Sequence, residues 1–364
     1  MKILFYFGHP AQYLFLRATI KNLIENEHDV IILIKTKDVL EELVKADGLA
    51  YKNVLRKERG HSKNAVLFSF LKRLFVLLPI ILKNKPSLLV STDATLSVIG
   101  RLFRIQRITI VEDDFDVIRN LAKIAYPNTQ HIVCPEVCDV GKYDQKKIGY
   151  AGYMKLGYLH PKVFSPSREK LEKYEIKTPF VLIRMARLTA HHDFGVQGMS
   201  ETLLNKIIDL ARQHNCNVYI SSEARVSKEY KPYSLQISPS DIHHILAHAE
   251  LLISDSQSMS VEASMLGTPS IRFSSFAGKI SVLEELEHKY QLTYGIDPSS
   301  SNKLLKKAEQ LLSQDKLKIS FEQRREAMLK DKIDVSAFMT WFIENYPNNA
   351  DIMRTNPDYQ YRFK

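Results

Sequence analysis

A chain of 364 residues that is 45% hydrophobic and 25% charged has the size of two ordinary globular domains. Three cysteines over that length cannot form a disulfide framework, which points to a reducing cytoplasm, and no run of about 18 uncharged apolar residues is present to span a membrane. The formal charge of +10 is spread along the chain without interleaved aromatics; this suits anionic small molecules or an anionic membrane face and is weak evidence for nucleic acid.

Residues 2–7 have the pattern of a buried first strand and are too short for a signal peptide. Gly8-His9-Pro10 follows, then a helix over 14–25, an apolar strand over 29–34 and a helix over 39–46. Such alternation means parallel strands buried on both faces, with binding loops at their carboxyl ends, and His9 occupies the first of those loops. Residues 65–85 are apolar nearly all round, interrupted by Lys72 and Arg73 and closed by Lys83 and Lys85. Two readings are open: a crossover helix packed on the sheet, or a helix resting in a membrane interface beside its basic neighbours. Pro79 kinks it under either.

The strand over 87–91 exits into Thr92-Asp93-Ala94-Thr95, and the strand over 107–111 exits into Glu112, Asp113, Asp114 and Asp116. Asp93, Glu112 and Asp114 thus share a rim with His9. Carboxylates gathered in this way raise one another's pKa and suit acid–base chemistry near neutral pH. Strands near 131–133 and 147–150 complete the first half. Cys134 and Cys138 lie between them without a second ligand pair, the pattern of buried thiols rather than zinc. Residues 151–161 lack a clear period and have the character of a domain connection.

The βα pattern restarts with a strand over 180–184. At its exit Arg184, Arg187, His191 and His192, followed by Asp193, make either a candidate clamp for a diphosphate or a solvated basic loop. A strand over 217–221 ends at Ser222-Glu223. The helix over 241–249 carries His243 and His244, neighbours that point apart and so cannot be a single-face metal pair. The apolar run 251–253 passes into Ser254-Asp255-Ser256-Gln257-Ser258 and a helical pattern from Met259 that Gly267 stops. Strand, serine-rich turn and helix N-terminus either present N–H groups and hydroxyls to an anion or form an ordinary βα turn with Ser254 or Asp255 as N-cap. Glu262, one turn in, is placed to accept hydrogen bonds from a ribose diol. From about residue 303 the chain is helical, with Phe338, Trp341 and Phe342 in an apolar stripe, and residues 349–364 are expected to be polar and loosely held.

The His9-Pro10 loop, Gly157-Tyr158-Leu159-His160-Pro161, Arg184 with Ala190-His191-His192-Asp193, Ser221-Ser222-Glu223, Asp241-Ile242-His243-His244, Asp255-Ser256-Gln257-Ser258-Met259 with Glu262-Ala263, and Leu266-Gly267-Thr268-Pro269 form a recognisable set. Together they resemble a little-characterised microbial family of GT-B-like proteins, a domain of unknown function. That family is related to the non-hydrolysing UDP-N-acetylglucosamine 2-epimerases and, more loosely, to glycosyltransferases. The resemblance covers residues 1 to about 298. It implies an α/β GT-B-like fold of two Rossmann-like, doubly wound parallel-sheet domains facing a cleft. Residues 1–160 would form the acceptor and catalytic side and 161–345 the nucleotide-sugar domain, with the last helix free to cross back; 346–364 would be a polar tail.

Ser91-Thr92-Asp93-Ala94-Thr95 looks like the epimerases' Gly-Asp-Thr loop, and Val111-Glu112-Asp113 is similar to their Val-Glu-Ala, whose glutamate is catalytic. Asp255-Ser256-Gln257-Ser258 resembles their Asp-Ser-Gly-Gly turn, and Glu262 their ribose-binding glutamate. Gln257 and Ser258 replace the two glycines, and the epimerases' further Pro-Glu-Glu-x-x-Asn-Arg carboxylate is not legible after Asp116.

The implied activity is a nucleotide-sugar-dependent glycosyltransferase of cell-envelope glycan or polysaccharide biosynthesis, with a UDP-sugar 2-epimerase as the alternative. Asp93, Glu112, Asp114 and His9 would be catalytic. Arg184, Arg187, His191, His192, Asp193, Glu223, His243, Ser256, Gln257, Ser258, Met259 and Glu262 would bind the nucleotide sugar. No metal and no tightly bound cofactor are expected beyond the UDP-sugar substrate, because basic groups and the helix end take the metal's role. The expected partners are a glycan or lipid-linked acceptor and, through residues 65–85, an anionic membrane; nucleic acid is not among them, and a homodimer is allowed. The expected location is the cytoplasm, at the inner face of the membrane where that contact forms.

Overall fold

The computed structural model describes residues 1–56, 63–185, 199–222 and 227–364, the side chains of 63–67 excepted. The chain forms two compact units, Met1–Tyr158 with Lys332–Lys364 and Leu159–Asp331.

In the first unit β1 (Lys2–Phe7), α1 (Pro10–Glu25), β2 (Asp29–Lys35), α2 (Leu40–Ala46), β3 (Lys52–Leu55), α3 (Lys63–Asn84), β4 (Leu88–Ser91), α4 (Ala94–Leu102), β5 (Gln106–Ile110), α5 (Arg119–Asn128), β6 (His131–Pro135) and β7 (Lys147–Tyr150) follow one another. Among the described residues these strands make one seven-stranded parallel sheet, in the order β3-β2-β1-β4-β5-β6-β7. A parallel strand needs a helix on each face, and β1 shows why the sequence supplies it: Ile3 to Phe7 are all buried. Leu4 and Tyr6 pack under Leu77 and Ile81 of α3 and Leu96 and Ile99 of α4. Only one face of α3 enters that core, so neither reading of residues 65–85 is complete: the helix packs on the sheet and leaves Phe68, Leu71, Phe75 and Leu82 exposed.

After α6 (Leu156–Leu159) the second unit runs through α7 (Glu169–Lys173), β8 (Phe180–Met185), α8 (Glu201–Gln213), β9 (Asn217–Ser222), α9 (Ile242–His248), β10 (Leu251–Ser254), α10 (Gln257–Leu266), β11 (Ser270–Phe273), α11 (Ser281–Glu284), β12 (Tyr294–Ile296), α12 (Ser301–Leu312) and α13 (Leu317–Asp331). Among the described residues its parallel sheet has five strands, ordered β12-β11-β10-β8-β9. Every residue of α10 from Met259 to Leu266 is buried, and Gly267 ends the helix at φ 73°, where a side chain would be strained.

The chain then re-enters the first unit with α14 (Val335–Glu344) and α15 (Asn348–Thr355) and closes in a 3-10 turn, Pro357–Phe363. The expectation of a loosely held tail is corrected here. Trp341 stacks on Tyr359 at 5.0 Å, and Phe363 meets Phe338 edge-on at 5.9 Å. Gln360 is fully buried; it accepts from the Ala151 N–H at 2.6 Å and donates to Glu136 at 2.7 Å. A few well-spaced apolar and amide groups anchor a segment whose average polarity suggested otherwise. Gly157, in the glycine–proline motif, also has a packing reason: a Cβ there would lie 2.6 Å from the Phe15 carbonyl oxygen.

Replacing Gln360 with Ala strips a buried N–H of its acceptor and is expected to cost about 1–3 kcal/mol. The urea midpoint should fall at constant m-value; an unchanged midpoint would mean that the carboxyl-terminal turn does not stabilise the unit.

Candidate functional site

A doubly wound sheet has one place where consecutive connections leave in opposite directions, and the loops there diverge to form a crevice at the carboxyl ends of the strands. In the first unit the reversal lies between β1 and β4, because β2 and β3 extend the sheet one way and β5 to β7 the other. His9 follows β1 and Asp93 follows β4. Both are helix caps: His9 Nδ1 accepts from the Ala11 N–H at 3.2 Å, and Asp93 Oδ1 accepts from the Thr95 N–H at 2.8 Å. The other Asp93 oxygen faces Arg73 Nε at 3.3 Å. Arg73 is itself buried on α3 and donates to Thr95 Oγ1 at 3.1 Å and Ser69 Oγ at 3.0 Å.

Glu112, at the exit of β5, repeats the arrangement. One oxygen accepts from the Met154 N–H at 2.7 Å and the other pairs with the buried Lys155 ammonium. Beside each pair lies a buried tyrosine, Tyr6 near Asp93 and Tyr150 near Glu112. Burial first and the neighbouring carboxylate second push both phenols upward, so they stay protonated. Asp93 and Glu112 are therefore each held by a cation of their own rather than gathered in a cluster of mutually repelling acids. Asp114 is directed elsewhere: it is buried and accepts from the Asp139 N–H at 2.7 Å, tying the loop after β5 to the loop after β6. A small cavity at this rim is lined by Phe7, Gln12, Ser91, Thr92, Ile110 and Met154.

In the second unit the reversal lies between β8 and β10. Arg184, paired in register with Ser254, donates from Nη1 to Ser221 Oγ on β9 at 2.7 Å. The Asp255 N–H donates to the Arg184 carbonyl at 3.3 Å, bringing the arginine and the serine-rich turn side by side. Within the turn, Ser254 Oγ accepts from the Ser256 N–H at 2.8 Å, and Ser256 Oγ caps α10 by accepting from the Met259 N–H at 3.4 Å. Gln257 donates its side-chain amide to Ser274 Oγ. The backbone N–H groups of Gln257 and Ser258, in the first turn, have no acceptor within the helix and add to the positive end of its dipole. Met259 is buried, so its side chain packs rather than faces the rim.

Glu262, also buried, meets His243 Nε2 at 3.4 Å. That placement is fixed from behind by Asp241, whose carboxylate takes Tyr174 Oη at 2.7 Å, Lys170 Nζ at 3.0 Å and Lys173 Nζ at 3.1 Å. Burial alone would raise the Asp241 pKa; the tyrosine and the two lysines outweigh it and hold it at about 2. His244 turns the other way, accepting from the Ser167 N–H at 3.0 Å against the Phe164 ring, and burial lowers its pKa. The two adjacent histidines thus have different polar partners, although the Phe164 ring also meets His243 edge-on at 6.2 Å. Arg187, His191, His192, Asp193 and Glu223 lie outside the described residues. Among the described residues no group of three or more His, Cys, Asp or Glu side chains is placed to hold a metal ion.

Arg73 and Lys155 were not among the site residues expected from the sequence. Arg73 had a signal, a charge inside an otherwise apolar helix; Lys155 sits in a stretch without periodicity, where nothing distinguished it from a surface lysine.

Two Rossmann-like units, each with its polar loops at the reversal of its parallel sheet, define a GT-B fold. Residues 8–290 match the family described as "Protein of unknown function (DUF354)", and the chain belongs to that family. None of the curated proteins matches it in sequence. Among solved structures it is similar to UDP-GlcNAc 2-epimerase from Neisseria meningitidis bound to UDP-GlcNAc, with a TM-score of 0.65, 13% identity, and coverage of 95% of this chain and 100% of the other. It is similar to S. aureus MnaA with UDP, with a TM-score of 0.68, 12% identity, and coverage of 98% and 97%. The spinosyn rhamnosyltransferase SpnG, complexed with spinosyn aglycone, gives a TM-score of 0.61, 13% identity, and coverage of 95% and 100%.

Because the Asp241 pKa is held below its unfolded value, its bonds stabilise the fold above about pH 4, and that stabilisation is lost as the pH falls through 2. The Asp241→Asn variant should be less stable than wild type at pH 7 and lose less stability between pH 4 and 2. Parallel stability profiles for the two proteins would show that Asp241 does not hold α9.

Proposed function

We propose that this protein is a nucleotide-sugar enzyme of the GT-B kind: a glycosyltransferase that takes a UDP-sugar and extends a cell-envelope glycan or polysaccharide. The observation that carries the reading is the juxtaposition at the β8–β10 reversal of Arg184 with the serine-capped amino terminus of α10. A diphosphate needs such an environment, with N–H donors, hydroxyls and a guanidinium in fixed positions. The UDP and UDP-GlcNAc named with the similar structures support the choice of nucleotide.

The second unit would hold the nucleotide and the first the acceptor. As the sugar C1–O bond breaks, the electron pair stays on the diphosphate. The Gln257 and Ser258 N–H groups, the Ser256 and Ser258 hydroxyls and Arg184 stabilise that charge, with Arg187, His191, His192, Asp193 and Glu223 assigned to the same nucleotide side. Glu262, with His243, takes the ribose. Asp93 receives the proton of the attacking acceptor hydroxyl, with His9 assisting, while Glu112 shapes the rim and Asp114 ties together the loops behind it. A lipid-linked acceptor would be met at the inner face of the membrane.

The 2-epimerase reading is favoured by a separate observation: Asp93 and Glu112 stand at consecutive strand exits, each oriented by its own cation, placed to take a proton from C2 as the diphosphate leaves C1 and to return one as it adds back to C1. Incubation with UDP-sugars alone in deuterated water separates the two. The transferase predicts no deuterium at C2 and turnover only with an acceptor; deuterium at C2 without an acceptor would overturn it in favour of the epimerase.

Arg184→Ala should weaken UDP binding by about 10–100-fold, the worth of a charge-assisted contact to phosphate. Asp93→Asn should leave UDP affinity unchanged and lower turnover by about 100-fold or more. The reverse pattern would refute both roles.

A further inference from the structure

We infer that the outward face of α3 is a docking surface for an anionic membrane. Phe68, Leu71, Phe75 and Leu82 are 70%, 43%, 76% and 46% exposed, and Pro79 is exposed with them. Their spacing of three, four, four and three residues puts all five on one stripe of the helix, opposite the buried Arg73, Leu77 and Ile81. Single exposed apolar side chains are ordinary; five in a row along one helix are not.

The charge around the stripe identifies what covers it. Lys72, Lys83 and Lys85 are exposed on and just beyond the helix. Leu88 pairs with Gln106, so the ends of α3 and α4 lie side by side, and the end of α4 with the turn after it adds exposed Arg101, Leu102, Phe103 and Arg104. From residue 59 to residue 111 the sole acidic residue is Asp93, and Arg73 already neutralises it. A symmetric contact with a second copy would set these cationic rims against each other. A polyanion without hydrocarbon would leave the phenylalanines in water. An anionic lipid surface satisfies both: the rings enter the acyl boundary while the ammonium and guanidinium groups stay at the phosphates.

Continuous with the stripe, an open groove of about 390 Å³ between α3 and the β2–β3 edge is lined by Ile31, Leu33, Pro79 and Ile80 together with Lys52 and Lys83. Apolar walls with two ammonium groups suit an acyl chain and its anionic headgroup. Among the described residues no helix is long and apolar enough to cross a membrane, so the contact is peripheral and α3 lies along the surface.

The inference rests on this face alone and not on the proposed reaction, so it is measured without substrate. The full-length protein is sedimented with vesicles of equal parts phosphatidylcholine and phosphatidylglycerol, and with vesicles of phosphatidylcholine only. Binding should be about tenfold or more tighter to the anionic vesicles and should weaken as sodium chloride is raised, because salt screens the basic rim. Phe68→Glu/Phe75→Glu, at exposed positions, should keep the wild-type melting temperature and UDP affinity but lose about tenfold or more of vesicle binding. No binding by the wild type, equal binding to both vesicle types, or unaltered binding by the double variant would overturn the inference. So would a wild-type dimer in light scattering that the double variant dissolves, since the stripe would then be a self-interface.

Discussion

A parallel strand buried on both faces leaves polar side chains little room except at its ends, and the helices crossing back over the sheet bring their amino termini to the same edge. In both units this constraint makes the carboxyl edge of the sheet the polar one, and the reversal of strand order opens one gap in it. Ser256, Asp93 and His9 have the same local job at those gaps: each caps the helix that leaves the strand. Capping satisfies one N–H of a helix start and leaves its neighbours turned to the rim, so a stabilising device and a binding device share the same few residues.

The acidic rim of the first unit shows how a fold keeps charge near its core. Asp93 and Glu112 are largely removed from water, and each would be costly there alone. Arg73 reaches Asp93 from α3, and Lys155 reaches Glu112 from the segment that leads out of the unit. The same pairing supplies orientation, because a carboxylate held by one N–H and one cation presents a defined edge to anything bound beside it. In the second unit, Asp241 with Tyr174, Lys170 and Lys173 does the equivalent work for α9 and hence for His243 beside Glu262.

Much of this was legible in the sequence because it depends on short-range pattern. The apolar runs at residues 2–7 and 251–253 and the serine-rich turn with its closing Gly267 placed strands and rim residues directly, although the helix starts at Gln257 rather than Met259, with Ser256 as its cap. Long-range pairings were not legible. Lys155 meets Glu112 across 43 residues, and Gln360 meets Ala151 across 209; no local period encodes either. Asp114 belonged to the same acidic run as Glu112, and only the path of the loop after β6 separates a carboxylate on the rim from one that ties two loops together. The tail misled for a related reason: average polarity hid Tyr359, Gln360 and Phe363, which pack. Residues 65–85 were apolar all round in composition, and the sheet uses only one side of them.

The account as a whole depends on a diphosphate held by the first turn of α10. A crystal structure of the protein with UDP tests that most directly. The account predicts phosphate oxygens within hydrogen-bonding distance of the Gln257 and Ser258 N–H groups, with the Arg184 guanidinium turned toward them. Phosphates bound away from that turn, with Gln257 and Ser258 facing solvent or side chains, would contradict it.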